Sequence, residues 1–201
     1  MYEVEVKVAT PHGPVRGRLD ALPTTRLGVV DQRDTYYDHP VRSFAETDEA
    51  LRLRRESTTG DGRTADPDDV PEPTDATTVA TLTYKGPLVD DVSKTREEIE
   101  TVVEDPASAD AILRSLGFEP VATVEKERER FAIEGYTVTL DAVAGLGEFV
   151  EVEAGGDESA VEALRDGAFE LVRRLGLDPA DTIRTSYLEL LLAGRESAGG
   201  T

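Results

Sequence analysis

Apolar and polar residues alternate with a period of two through most of this chain. In Met1–Val8, Tyr2, Val4, Val6 and Val8 fall on one side, and Glu3, Glu5 and Lys7 on the other. That is the signature of a strand, whose successive side chains point to opposite faces. The same period predicts strands at Val29–Asp38, Ala50–Arg55, Val79–Lys85, Ser93–Val103, Val121–Ile133, Tyr136–Asp141 and Glu148–Glu153. Gly86-Pro87, Gly135, Gly145 and Gly147 mark turns.

The period shifts to that of a helix in four places. Pro11–Leu22 carries Val15, Leu19 and Leu22 on one side, with Pro23 behind it. Asp105-Pro106 reads as an N-cap followed by a first-turn proline, with Ala109, Ile112, Leu113 and Leu116 as the stripe and Gly117 as the stop. Asp157 is expected to cap a third helix, with Val161, Leu164, Ala168, Leu171, Val172 and Leu175 inward and Gly176 closing it. Ser186 and Glu189 form a capping box for a short final helix, Tyr187–Leu192. Ser57–Thr77 is rich in Gly, Pro, Asp and Thr and reads as a flexible surface loop. Residues 194–201 read as a disordered tail. This leaves one domain over residues 1–193, in the α+β class, with a mainly antiparallel sheet because the strands are joined by short turns.

Several strands carry charge on a single face: Glu3/Glu5/Lys7, Arg52/Arg54, Lys94/Arg96/Glu98, Lys126/Arg128 and Glu151/Glu153. Such faces cannot line a dry core, where an unpaired ion costs several kcal/mol. Two architectures satisfy the pattern equally well. One is an open sheet with a solvated face; the other is a closed barrel with a wet, charged interior and helices packed outside.

Composition narrows the setting. Asp and Glu number 42 against 22 Lys and Arg, giving a formal charge of −20. A surface of that sign repels nucleic acid and anionic membranes, so neither is an expected partner. It suits a soluble, halophilic protein of a salt-rich cytoplasm. There are no cysteines, which excludes disulfides, thiolate metal sites and cysteine nucleophiles. No apolar run approaches a membrane span, and the first residues read as a charged strand, so the expected location is cytoplasmic. His12 and His39, both in turn-like sequence, read as surface residues. The lysines are only Lys7, Lys85, Lys94 and Lys126, all in predicted strands, which points to a recessed basic site.

The lining chemistry favours the closed barrel. Glu3, Glu5, Glu151 and Glu153 come from the first and last strands and become neighbours on closure, with Asp141 one hairpin away. Clustered carboxylates repel one another unless they hold a hard cation, and oxygen ligands suit Mg²⁺ or Mn²⁺. Arg52, Arg54, Lys85, Arg96, Lys126 and Arg128 come from the intervening strands. Guanidinium forks interleaved with ammoniums suit a polyphosphate.

At these residues the sequence resembles the CYTH family of triphosphate tunnel metalloenzymes. The opening Glu3-x-Glu5-x-Lys7 is followed in the family's order by Asp34-x-Tyr36-Tyr37-Asp38, Leu51-Arg52-Leu53-Arg54, Thr83-Tyr84-Lys85-Gly86-Pro87 and Arg96-x-Glu98. Lys126-x-Arg128, Leu140-Asp141 and Phe149-x-Glu151-x-Glu153 complete the set. Gln32-Arg33-Asp34 and the ending Ser186-Tyr187-Leu188-Glu189-Leu190-Leu191 are most similar to the class IV adenylate cyclases. The resemblance implies an eight-stranded antiparallel tunnel barrel, a divalent metal and a small-molecule triphosphate, ATP or inorganic triphosphate.

Under that resemblance Glu3, Glu5, Asp141, Glu151 and Glu153 are the metal candidates. Arg52, Arg54, Lys85, Arg96, Lys126, Arg128 and Arg184 are the triphosphate-binding candidates, Arg184 reaching in from the C-terminal segment. Lys7, with Glu3 and Glu5, is the catalytic candidate, whether by touching phosphate, by orienting the attacking group or by pairing with Glu5. Glu98 is expected to orient basic residues, and Tyr36, Tyr37 and Tyr187 to pack or wall the tunnel. The leading expectation is ATP conversion to cyclic AMP and pyrophosphate. The alternatives are an inorganic or thiamine-triphosphatase-like phosphohydrolase, a non-catalytic polyphosphate-binding module, and a purely structural acidic barrel. The sequence allows a homodimer without specifying one.

Overall fold

The structure is a computed structural model and describes residues 1–59, 78–88 and 94–198. The strands are β1 (Tyr2–Ala9), β2 (Thr25–Asp38), β3 (Ala50–Thr59), β4 (Thr78–Leu88), β5 (Lys94–Val103), β6 (Glu119–Ile133), β7 (Tyr136–Val143) and β8 (Gly147–Gly156). The helices are α1 (His12–Ala21), α2 (Pro106–Ser115), α3 (Val161–Arg174) and α4 (Tyr187–Ala198). The strands form one closed barrel in the order β1-β5-β4-β3-β2-β6-β7-β8, every neighbouring pair antiparallel. The open-sheet alternative is thereby excluded.

Closure leaves no free sheet edge and sorts the two strand faces. The apolar face points outward, beneath the helices. Val6 and Val8 of β1, Phe131 and Ile133 of β6 and Val150 and Val152 of β8 pack against Val15 and Leu19 of α1 and Leu171, Val172 and Leu175 of α3. On the other side Leu113 of α2 joins Leu51 and Leu53 of β3. A third cluster stoppers one end of the barrel. Tyr187 with Leu188 and Leu191 of α4 meets the inward-facing Tyr36, Val124, Val143 and Phe149.

Local chemistry explains most element ends. Asp105 accepts from the Ala107 and Ser108 backbone N–H groups at the start of α2, with Pro106 in its first turn. At α4 the Ser186 hydroxyl accepts from Glu189 N at 3.2 Å, and Glu189 accepts from Ser186 N at 2.6 Å, a complete capping box. Glu134 (φ 51°) and Gly135 (φ 85°) make the two-residue turn of the β6–β7 hairpin, where both positions need positive φ.

Several expectations are corrected. Gly86-Pro87 does not end β4, which runs on to Leu88; the proline lacks an N–H, and the ladder to β5 absorbs this as a register shift between Lys85 and Leu88. β2 begins at Thr25 rather than Val29, across an irregularity at Gly28 (φ 119°). Asp157 makes no side-chain cap; a single 3₁₀ turn at 158–160 precedes α3. α4 continues to Ala198, beyond the Leu192 expected, because Gly194 weakens a helix without ending it. Ser57–Thr59 extend β3, and the rest of the expected loop, residues 60–77, lies outside the described residues, as do residues 199–201 of the expected tail. His12 is buried, not on the surface, because the start of α1 packs on β8, where its Nε2 lies 3.0 Å from the Phe149 carbonyl oxygen.

Candidate functional site

The polar strand faces enclose a cavity of about 430 Å³ inside the barrel. All four lysines of the chain line it, with Arg52, Arg54, Arg96 and Arg128 among the arginines. Glu3, Glu5, Glu98, Glu100, Glu151 and Glu153 supply facing carboxylates.

β1 and β8 form the acidic wall. Their register sets Glu5 opposite Glu153 and Lys7 opposite Glu151. Lys7 Nζ lies 2.9 Å from Glu5 Oε1 and 3.3 Å from Glu151 Oε1. Burial works against the Lys7 charge, but Glu5 and Glu151 outweigh it and push its pKa up, so Lys7 stays an ammonium. Glu153 is the opposite case. Burial, reinforced by Glu3, Glu151 and Glu5 and opposed by Arg128, pushes its carboxyl up to about 7.

The lining also holds two clamped guanidiniums. Arg128 of β6 grips Asp141 of β7 with Nε at 2.7 Å and Nη2 at 2.5 Å, and Nη2 also bonds Glu151. Arg54 of β3 grips Asp34 of β2 in the same bidentate manner, at 2.7 and 2.6 Å. Burial disfavours both aspartates as anions; Arg54 and Arg52 overcome this for Asp34, and Arg128 and Lys126 for Asp141, so both carboxyls lie below the usual range. Such forks fix a guanidinium's plane and direction. Lys126 Nζ sits 3.3 Å from Asp141 Oδ2, and burial with Arg128 beside it lowers its pKa to about 8.

β4 and β5 complete the ring. Lys85 bonds Glu98 and lies 3.5 Å from Glu3 Oε1. Arg52 donates to Thr83 Oγ1 at 3.3 Å, and that hydroxyl donates to Glu100 at 2.7 Å. Arg96 Nη1 donates to the Asp48 carbonyl at 2.6 Å and the Gly86 carbonyl at 3.3 Å. Lys94 Nζ lies 3.8 Å from Asp48 Oδ1 and 3.4 Å from Glu189 Oε2 of α4. Asp48 holds a left-handed conformation (φ 54°), uncommon for a residue other than glycine.

The structure thus gathers Glu3, Glu5, Lys7, Glu151, Glu153, Arg52, Arg54, Lys85, Arg96, Lys126 and Arg128 around one cavity. Glu98 holds Lys85, as an orienting residue would. Arg184 is half-buried and is not among the lining residues. Asp141 lies behind Arg128 and Lys126, with both carboxylate oxygens engaged. Asp34 has the same clamping position and was not singled out as a site residue in the sequence; its inward parity with Tyr36 on β2 was the available signal. Among the described residues no three His, Asp or Glu side chains converge into a preformed metal cage. The acidic wall nonetheless fits a hard cation. Burial, reinforced by the neighbouring carboxylates, raises Glu153, and a Mg²⁺-like ion is characteristically held by one or two carboxylates plus substrate phosphates.

Among the described residues no helix is long and apolar enough to cross a membrane. The family model for the CYTH domain matches residues 1–187. A Methanocaldococcus jannaschii protein named "Putative adenylate cyclase" is 35% identical over 192 residues, 94% of this chain and 98% of that protein. The adenylate cyclase CyaB of Aeromonas hydrophila is 26% identical over 170 residues, 84% of this chain and 76% of its own. The solved structure of the PH1819 protein of Pyrococcus horikoshii superposes with a TM-score of 0.81 at 35% identity, covering 96% of this chain and 99% of that one. The chain, with its closed barrel and charged interior, belongs to the CYTH domain family.

Proposed function

We propose that this protein is a class IV-type adenylate cyclase, converting ATP to cyclic AMP and pyrophosphate inside the barrel. The observation that carries the proposal is the convergence of all four lysines and four arginines on one cavity with a carboxylate cluster from β1 and β8. The family match and the adenylate cyclase names of two relatives support the choice of reaction.

In the reaction the ATP 3′-hydroxyl gives up its proton to solvent, and its oxygen forms a bond to the α-phosphorus as the bond from that phosphorus to pyrophosphate breaks. Charge builds on the leaving pyrophosphate, and preorganised donors aimed at it lower the barrier. Arg52, Arg54, Lys85, Arg96, Lys126 and Arg128 are those donors. Asp34, Asp141 and Glu98 hold Arg54, Arg128 and Lys85 in place before substrate arrives. Lys7 remains charged and therefore acts as a donor to phosphate or to the attacking group, not as a base. Glu3, Glu5 and Glu153, with Glu151 adjacent, would hold Mg²⁺ or Mn²⁺, which when bound lowers the pKa of the attacking hydroxyl and offsets phosphate charge.

The test is incubation of the pure protein at high salt, with Mg²⁺ or Mn²⁺, against ATP and against inorganic triphosphate. Cyclic AMP from ATP is the expected product. Orthophosphate from triphosphate without cyclic AMP would replace this reading with a triphosphatase. Tight binding of both without turnover would leave a polyphosphate-binding module.

A further inference from the structure

The C-terminal segment is strapped along β1 before it turns into α4. Thr182 bridges Val8, and Ile183 N donates to the Lys7 carbonyl at 2.8 Å. The capping box then fixes the first turn of α4, so Tyr187 enters the barrel end at one place. Its side chain is buried, with Phe149 edge-on at 5.0 Å between ring centroids. Its hydroxyl donates to Asp141 Oδ2 at 3.1 Å.

The ring meets two cations. Lys7 Nζ lies 4.4 Å from the ring centroid and Lys126 Nζ 4.9 Å from it. Both ammoniums line the cavity, one from β1 and one from β6. An aromatic ring attracts each ammonium by its quadrupole. We propose that Tyr187 is a positioning residue of the cavity: its ring, anchored through Asp141, spaces the Lys7 and Lys126 ammoniums and aims them at the phosphates of the bound ligand. This rests on the triphosphate reading above and adds to it a helix residue that the strand pattern does not contain. Tyr187 touches no reacting atom; it acts through the two lysines.

The test is calorimetric titration of inorganic triphosphate, with Mg²⁺, into wild type, Tyr187→Phe, Tyr187→Leu and Phe149→Leu, each first shown to be folded by its melting curve without ligand. Phe149 packs in the same cluster and is not among the cavity-lining residues, so it controls for packing loss. Losing both cation–ring contacts in Tyr187→Leu should weaken triphosphate binding about tenfold or more. Tyr187→Phe keeps the ring and should retain most of the affinity. Phe149→Leu should lower the melting temperature and leave affinity near wild type. A leucine variant that does not fold is replaced by Tyr187→Met, which fills the slot without a π face. Wild-type affinity in the folded Leu or Met variant, or an equal loss in Phe149→Leu, would overturn the assignment. Absence of triphosphate binding by the wild type would overturn the functional reading and this inference with it, a result separable from a wild type that binds and a Tyr187 variant that binds equally well.

Discussion

β6 carries two rows of charge, glutamates facing outward and basic residues facing inward. Outward, Glu125 lies 3.6 Å from Arg33 with both side chains largely exposed. Glu129 is gripped at 2.6 Å by each of two half-exposed arginines, Arg16 and Arg26. Inward, Arg128 is held by Asp141 and Glu151, all three buried. The pairs are chemically alike. An exposed pair such as Glu125 with Arg33 is worth little, because water solvates both partners whether or not they meet. Buried pairs commonly break even at best against apolar replacements, while losing one partner strands the other. The inner row is therefore poor material for stability and good material for gripping a charged ligand.

The largest stability effect belongs to the inner row. Arg128→Ala leaves Asp141 and Glu151 buried without their main partner and should cost about 3–5 kcal/mol in denaturant unfolding at high salt. Unchanged stability would show that water reaches those carboxylates freely. A smaller effect is a pH dependence of opposite sign within one lining. Asp34 and Asp141, with carboxyls held below the usual range, contribute stability that is present above that range and lost as pH falls through their folded values. Glu153 is raised from 4.5 to about 7, so the native state binds the extra proton between those values and stability falls as pH rises through them. In metal-free protein Glu153→Gln should flatten that slope, and a divalent cation should flatten it in the wild type. The smallest effect belongs outside: Arg33→Ala should leave the denaturation midpoint unchanged, since its pair is exposed on both sides.

How much of this was legible follows from the same two faces. Period-two alternation located all eight strands, and the inward parity of Glu3, Glu5 and Lys7 is the parity found in the cavity. The lysines were the clearest signal: a chain with a strongly acidic surface kept them only where they line the barrel. Cross-strand register was not legible, because it depends on closure between segments far apart in sequence. Asp34 faces Arg54 only through the β2–β3 pairing, so its clamp could not be read from either strand alone. Tyr187 was expected to pack or wall the tunnel, and it does line the cavity; its contacts with Lys7 and Lys126 were not legible. They depend on the strap along β1, which brings the first residue of α4 to the barrel end and joins segments far apart in sequence. The bulge at Gly86-Pro87 was misread as a turn because a proline signals a broken ladder in both cases.

The central claim is that the acidic wall holds a cation for chemistry on a bound triphosphate. It is tested most directly by comparing Glu5→Ala with wild type for metal-dependent cyclic AMP formation from ATP, with melting curves for both. Glu5 is only partly buried, and its cationic partner Lys7 keeps Glu151, so the fold should survive the substitution. The account predicts turnover lower by on the order of a hundredfold or more with melting close to wild type. Wild-type turnover in the folded Glu5→Ala protein would contradict it.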